Sequence, residues 1–214
     1  MTHNITLDEY LNNPCGTCAT AFWKNSYFKT PDGVQVVHEK EVKEACKDAF
    51  DIVRYFRLLH DLQEINTPNL HEDYYFQTVN IETQKGTVAH LINRCYENTN
   101  ITAEQVDKWT KYKVFDNDLW VFIYELSSSY PVALGIADFD ADLKEGSLEW
   151  LQALPEKRGK GLGQALVNEL LRRLAPMAKF VTVSGQADNK TNPEAVYRKC
   201  GFKGEDIWCV LTPK

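Results

Sequence analysis

The ten residues Leu154-Pro-Glu-Lys-Arg-Gly-Lys-Gly-Leu-Gly163 stand between a strand-like and a helix-like run, and they limit the fold of this 214-residue chain more than any other stretch. Gly159, Gly161 and Gly163 carry no Cβ, so the backbone there can turn its N–H groups inward and lie close to a ligand. Apolar residues at Leu162, Ala165, Leu166, Leu170 and Leu174 continue the stretch at the spacing of an amphipathic helix. Strand, glycine turn and helix start follow in that order, and such a helix N-terminus offers amides to an anion. The motif is not a P-loop, because no Gly-Lys-Ser/Thr is present, and it lacks the glycine spacing of a dinucleotide fingerprint. Taken alone, it also fits a plain strand-to-helix turn.

A second stretch gives the first its context: Asp188-Asn-Lys-Thr-Asn-Pro-Glu-Ala-Val-Tyr-Arg-Lys-Cys-Gly-Phe202. The order Arg158-Gly-Lys-Gly161-Leu-Gly163, then an asparagine-bearing loop, a short helix and Tyr197-Arg-Lys-Cys-Gly201-Phe202, resembles the GNAT acetyltransferase superfamily. The resemblance covers about residues 70–214. It implies an α/β (α+β) fold with a mixed, mostly antiparallel central sheet flanked by helices, here carrying an N-terminal α/β extension. It also implies acetyl-CoA as cofactor and N-acetyl transfer by direct attack of an amine in a ternary complex.

The site residues follow from the resemblance position by position. The diphosphate is expected on the loop from Arg158 through Gly159, Lys160, Gly161, Leu162 and Gly163 to Gln164, with Lys157 adding positive charge. Backbone N–H groups at Leu151 and Ala153 are expected to hold the pantetheine arm and polarise the thioester carbonyl. Tyr197 matches the family tyrosine that faces the leaving thiolate, to which a phenol gives a hydrogen bond rather than its proton. The family asparagine stands seven residues before that tyrosine, whereas this chain offers Asn189 at eight and Asn192 at five. Asn189 is assigned to the cofactor, and Asn192-Pro193 to the start of the short helix.

Glu149 is the candidate base. In a regular strand it alternates with Ser147, Leu151 and Ala153 and shares their face, on the side of the acyl group. A carboxylate is a weak base for an ammonium, so it needs burial or a relay through water, and ordered water alone is the rival base. Asp138 and Asp140 are the next candidates. Trp150, Trp208 and Cys200 lie in apolar segments and read as core.

Charge is unevenly spread. Residues 150–214 hold eleven Lys/Arg against six Asp/Glu, and residues 1–149 hold thirteen against twenty-four. That asymmetry suits a polyanionic cofactor at one end and a small-molecule or peptide amine at the other, and it disfavours nucleic acid. No run approaches the roughly 18 apolar residues of a membrane span, and the start lacks a secretory pattern, so a cytoplasmic location is expected. The six cysteines show no disulfide framework. Cys15-Gly-Thr-Cys18 has the spacing of half a metal site, but no second pair answers it and no metal is expected. A non-catalytic acyl-CoA sensor, or an interaction protein built on those cysteines, is the alternative function. Pairing as a homodimer is left open.

Two regions are expected. Residues 1–66 read as a strand-turn-strand extension (Thr20–Phe28, a Pro31-Asp-Gly33 turn, Val34–His38), followed by a helix from Glu41 to Leu62 on Val42, Cys46, Ala49, Val53, Phe56 and Leu59. Residues 67–214 read as the acetyltransferase-like domain. Its strands are expected at 74–81, 119–126, 132–139, 147–154, 180–184 and 207–211, and its helices at 85–98, 102–112, after the glycine loop and at 193–200. The helix at 102 opens with a Thr102/Gln105 capping box.

Overall fold

A computed structural model describes residues 5–96 and 99–214. Along the chain come α1 (Leu7–Asn12), α2 (Pro14–Thr17), α3 (Lys24–Tyr27), β1 (Gln35–His38), α4 (Cys46–Ala49), β2 (Phe50–His60), β3 (Tyr74–Thr78) and α5 (Lys85–Cys95). They are followed by α6 (Ala103–Trp109), β4 (Trp120–Glu125), β5 (Pro131–Asp140), β6 (Glu145–Ala153), α7 (Leu162–Leu174), β7 (Phe180–Gln186), α8 (Pro193–Lys199) and β8 (Lys203–Pro213). The chain divides into two compact units, residues 62–181 with 199–201, and residues 1–61 with 182–198 and 202–214.

In the larger unit β6, β5, β4 and β3 pair antiparallel in that order. Helices cover both faces, which is why β4 reads as the unbroken apolar run Trp120-Val-Phe-Ile-Tyr124 rather than as an alternation. On one face Val88, Leu91 and Ile92 of α5 and Val106 of α6 pack with Trp120, Phe122, Leu134 and Ile136. On the other face α7 lies so close to β5 that a Cβ on Gly135 would stand 3.0 Å from Leu170. The expected capping box opens α6: Gln105 N–H donates to Thr102 Oγ1 at 3.3 Å, and Thr102 N–H donates to Gln105 Oε1 at 2.9 Å.

An ion cluster anchors the far half of α7. Glu169, 4% exposed, accepts from Arg172 (2.9 and 2.8 Å) and from Arg173 Nε (2.7 Å). Arg173 Nη1 reaches on to Thr78 Oγ1 at 2.8 Å and to the carbonyl of Asp118 at 2.6 Å.

In the smaller unit the strand order is β1-β8-β2-β7, with β8 antiparallel to both β1 and β2. Here the local pattern misleads. The expected helix from Glu41 to Leu62 shrinks to Cys46–Ala49, and residues 50–60 are strand β2. The apolar residues spaced three and four apart belong to a denser set, Ile52, Val53, Tyr55, Phe56, Leu58 and Leu59, rich in β-branched and aromatic side chains. Pairing with β8, from Phe50 opposite Pro213 to Phe56 opposite Ile207, overrides the helical spacing. Residues 20–28 likewise contain the short helix α3 instead of a strand, and β1 pairs with β8. The Pro31-Asp-Gly33 turn forms as expected, with Val34 N–H donating to Pro31 at 3.1 Å and Gly33 at φ 80°.

The N-terminal segment is fastened through buried polar groups. Arg57 donates to Ser184 Oγ (3.1 Å) and to Tyr10 Oη (3.2 Å), and Ser184 donates to the Ala19 carbonyl (2.7 Å). Cys15 and Cys18 are buried. Trp208 Nε1 donates to the Cys15 carbonyl at 2.8 Å, and Asn25 Nδ2 donates to Cys18 Sγ at 3.3 Å. Among the described residues no helix is long and apolar enough to cross a membrane.

One buried group in the larger unit stands out. Gln152, 6% exposed and opposite Leu134, has no hydrogen-bond partner for either amide atom. A buried amide without partners costs about 1–3 kcal/mol. Gln152→Met keeps the length and removes both orphan groups, so urea unfolding is expected to show a gain of about 1 kcal/mol. An unchanged midpoint would mean that solvent reaches the amide.

Candidate functional site

The site is built on β6 and the turn that follows it. Along the β5–β6 pairing Ala137 stands opposite Leu148 and Ile136 opposite Trp150, so Glu149 is an extra residue on β6, a β-bulge. The bulge resets the alternation. Leu151 pairs with Gly135, whose absent Cβ faces Leu166 and Leu170, so Leu151 and Ala153 lie on the α7 face. Ser147 pairs with Asp138 on the opposite face, and its hydroxyl donates to Glu149 Oε1 at 2.9 Å. The expectation that Glu149 shares a face with Leu151 and Ala153 is therefore corrected: of the three it meets Ser147, because the extra residue moves the later side chains to the other side.

Backbone directions are as consequential. Leu154 N–H donates to the Val132 carbonyl at 2.9 Å, so Leu154 and Gln152 turn their backbone groups toward β5, and Leu151 and Ala153 turn theirs away from it. Two side chains claim the carbonyls on that side. Tyr96 Oη donates to Leu151 O at 3.2 Å, and Arg158 Nε donates to Ala153 O at 3.4 Å. Burial pushes the Tyr96 phenol up to about 12, so it stays a donor. The N–H groups of Leu151 and Ala153 point to that same side. Trp150 stacks on Trp109 (5.7 Å, 21°) and meets the edge of Tyr96 (5.5 Å, 76°), walling the α5 and α6 side.

After a short 3-10 turn at Pro155–Lys157, the loop turns through two left-handed glycines, Gly159 at φ 76° and Gly161 at φ 77°. Nothing lies within 4 Å of where a Cβ on either would stand. Gly161 is the N-cap of α7 and has no side chain to cap it, and the first helical bond runs from Ala165 N–H to Gly161 O. The amides of Leu162, Gly163 and Gln164 thus precede the helical ladder. Gly163, expected in the loop, lies in the first turn of the helix.

The flanking charges are committed more fully than the sequence suggests. Lys157 pairs with Glu125 at 2.6 Å, Arg94 with Glu156 at 2.9 Å, and Lys160 donates to Tyr74 Oη at 3.2 Å. The hydrogen bond from Lys157 holds the Glu125 carboxyl below its usual range, and Glu125 in turn raises the Lys157 ammonium. Beside them Leu91, Arg94, Glu125, Val132, Leu154 and Lys157 help to line a cavity of about 470 Å³. Asp140, a secondary base candidate, is 3% exposed, accepts from Asp142 N–H at 3.0 Å and sits 3.8 Å from Lys113, a structural role.

Glu149, Leu151, Ala153 and the Arg158–Gln164 loop all belong to the larger unit, whereas Tyr197 and Asn189 belong to the smaller one. There Tyr197 is buried in α8 between Phe56 (ring centroids 6.0 Å apart) and Phe202 (5.7 Å). Asn189 Oδ1 accepts from both the amide (2.9 Å) and the hydroxyl (2.8 Å) of Thr191, while Asn192 Oδ1 accepts from Ala195 N–H at 3.3 Å and so caps α8. Sequence reasoning missed Tyr96 and the Ser147 hydroxyl. A helix-end tyrosine gives no motif, and the serine's partner depends on the bulge.

The chain matches the family described as FR47-like protein over residues 137–209, a span that holds β6, the glycine loop and Tyr197. No curated protein matches it. Among solved structures it is similar to a GCN5-related N-acetyltransferase from Sphaerobacter thermophilus, with 15% identity, TM-score 0.69, and coverage of 88% of this chain and 62% of that one. A GCN5-related N-acetyltransferase from Kribbella flavida gives 15% identity and TM-score 0.59, covering 85% and 68%. A GNAT-family acetyltransferase from Colwellia psychrerythraea gives 14% and 0.61, covering 84% and 64%. The chain thus spans less than two thirds of the Sphaerobacter protein, and identities this low speak for the fold alone. In fold, and in the order of its glycine and tyrosine motifs, the chain resembles the GNAT acetyltransferase superfamily.

Proposed function

We propose that this protein transfers an acetyl group from acetyl-CoA to a primary amine of a small molecule or peptide, by direct attack in a ternary complex. One observation carries the reading: N–H groups of β6 directed away from β5 run on into a left-handed glycine turn and the uncapped start of α7. Donors thus stand on either side of the turn, at Leu151 and Ala153 and again at Leu162 to Gln164, and a cofactor made of an acyl thioester, two amides and a diphosphate offers acceptors to both. The open space where Gly159 and Gly161 lack a Cβ fits the diphosphate.

Acetyl-CoA supplies the activated acyl group as a thioester. The Leu151 and Ala153 amides hold the arm and face the carbonyl oxygen, where one well-aimed donor is worth about 3 kcal/mol. Glu149 takes the proton that the amine sheds as its nitrogen bonds to carbon. Tyr197 donates a hydrogen bond to the sulfur, and Asn189 meets the arm; these two enter through the matching motif. The acidic composition of residues 1–149 favours a cationic acceptor.

Thiol release from acetyl-CoA, followed against a panel of primary amines, tests the reading. Glu149→Gln is expected to lower kcat by about 100-fold and Tyr197→Phe by about tenfold, with cofactor affinity kept in both. Cofactor binding without transfer to any amine would make the protein a sensor instead, and full activity in Tyr197→Phe would remove that residue from the mechanism.

A further inference from the structure

We propose that Ser147 is the positioning residue for Glu149, an inference that rests on reading Glu149 as the base. Ser147 is 3% exposed, and its Oγ stands 2.9 Å from Glu149 Oε1. An ionised carboxylate only accepts, so the direction of this bond is fixed: the serine donates. The bond joins residues two apart on one strand, and the bulge lies at the acceptor. A bulged residue is not held by the ladder on both sides, which leaves its side chain more ways to point than a regular strand residue has. The hydroxyl narrows that freedom. It ties Oε1 to a buried atom of the regular part of β6 and so sets the plane of the carboxylate that receives the amine proton.

The identity of the residue matters as well. Ser147 stands directly across from Asp138, so it is the strand neighbour of one carboxylate and the cross-strand neighbour of another. A neutral donor there steadies Glu149 without cancelling its charge, whereas a lysine or arginine would neutralise it and lower its reach for a proton. Ser147 itself neither gains nor loses a proton. As the amine nitrogen bonds to the acyl carbon, the N–H proton goes to Glu149 and the carbon–sulfur electron pair leaves with the sulfur.

The test uses the full chain with acetyl-CoA and four acceptors: spermidine, lysine, glucosamine and an unblocked tetrapeptide. Ser147→Ala is expected to lower kcat by about tenfold, the scale of one hydrogen bond to a charged group, with KM for acetyl-CoA and acceptor within about twofold of wild type. Ser147→Thr, which keeps the hydroxyl, is expected to recover at least about half of the lost activity. In a Glu149→Gln background Ser147→Ala is expected to change kcat by less than about twofold, because the two residues act as one unit. Acetyl-CoA calorimetry on each variant establishes that the fold and cradle persist. A wild-type kcat in Ser147→Ala, or the same tenfold loss in the Glu149→Gln background, overturns the proposal and leaves the base in place. Full activity in Glu149→Gln overturns the base and the positioning role together, and no transfer to any of the four acceptors overturns the transferase reading with them.

Discussion

Gly161→Glu is expected to weaken acetyl-CoA binding by about 10³-fold, the combined effect of strain, lost amide contacts and charge repulsion, some 4 kcal/mol in all. The residue sits at φ 77°, where a side chain costs about 1–2 kcal/mol, so the loop relaxes out of the left-handed well and its amides swing off the diphosphate. No clash in the free protein is involved, since nothing lies within 4 Å of the missing Cβ. The carboxylate enters the volume proposed for the phosphates, where like charges repel. Gly161→Ala separates the two effects: it keeps the strain without the charge and is expected to lose only about tenfold. Calorimetry with acetyl-CoA reads both variants. An isotherm unchanged in Gly161→Glu would place the diphosphate elsewhere.

Glu169→Ala is expected to destabilise the fold by about 3–5 kcal/mol, because it strands Arg173 in a largely buried position. Arg173 is 18% exposed and cannot simply turn to water, since Nη1 is also bound to Thr78 and to the Asp118 carbonyl. The pH dependence has a definite sign. Burial by itself raises the Glu169 carboxyl, but hydrogen bonds from Arg172 and Arg173 outweigh it and hold the group below its usual range. A depressed carboxylate contributes stability that is present above the ordinary glutamate value, about 4.3, and is lost as the pH falls through the folded value. Urea unfolding of the wild type should therefore weaken as the pH drops below about 4, and Glu169→Ala should show a shallower decline. Parallel declines in the two proteins would show that other carboxylates govern the acid limit.

What the sequence revealed of the site was its local part. The glycine turn, the amphipathic α7 and the Thr102/Gln105 box each depend on residues a few positions apart, and each forms where expected. Features decided by distant partners were hidden. β2 reads as a helix because its pairing with β8 joins residues more than 140 positions apart. The bulge depends on how β6 meets Ile136 and Ala137, so two-residue counting placed Leu151 and Ala153 on the wrong face. Lys157 reads as a phosphate ligand until Glu125, at the end of β4, is seen to hold it. Tyr96 has no signature at all, yet from the end of α5 it decides which backbone groups β6 has left to offer.

The odd residue in β6 has one more consequence. A chain shortened by residue 149 alone would bring Leu148 and Trp150 into succession opposite Ala137 and Ile136, so that the hairpin would zip without interruption. The same single deletion that makes the sheet sturdier would take away the proposed base, so the strand's imperfection is where firmness and the proposed reactivity pull in opposite directions.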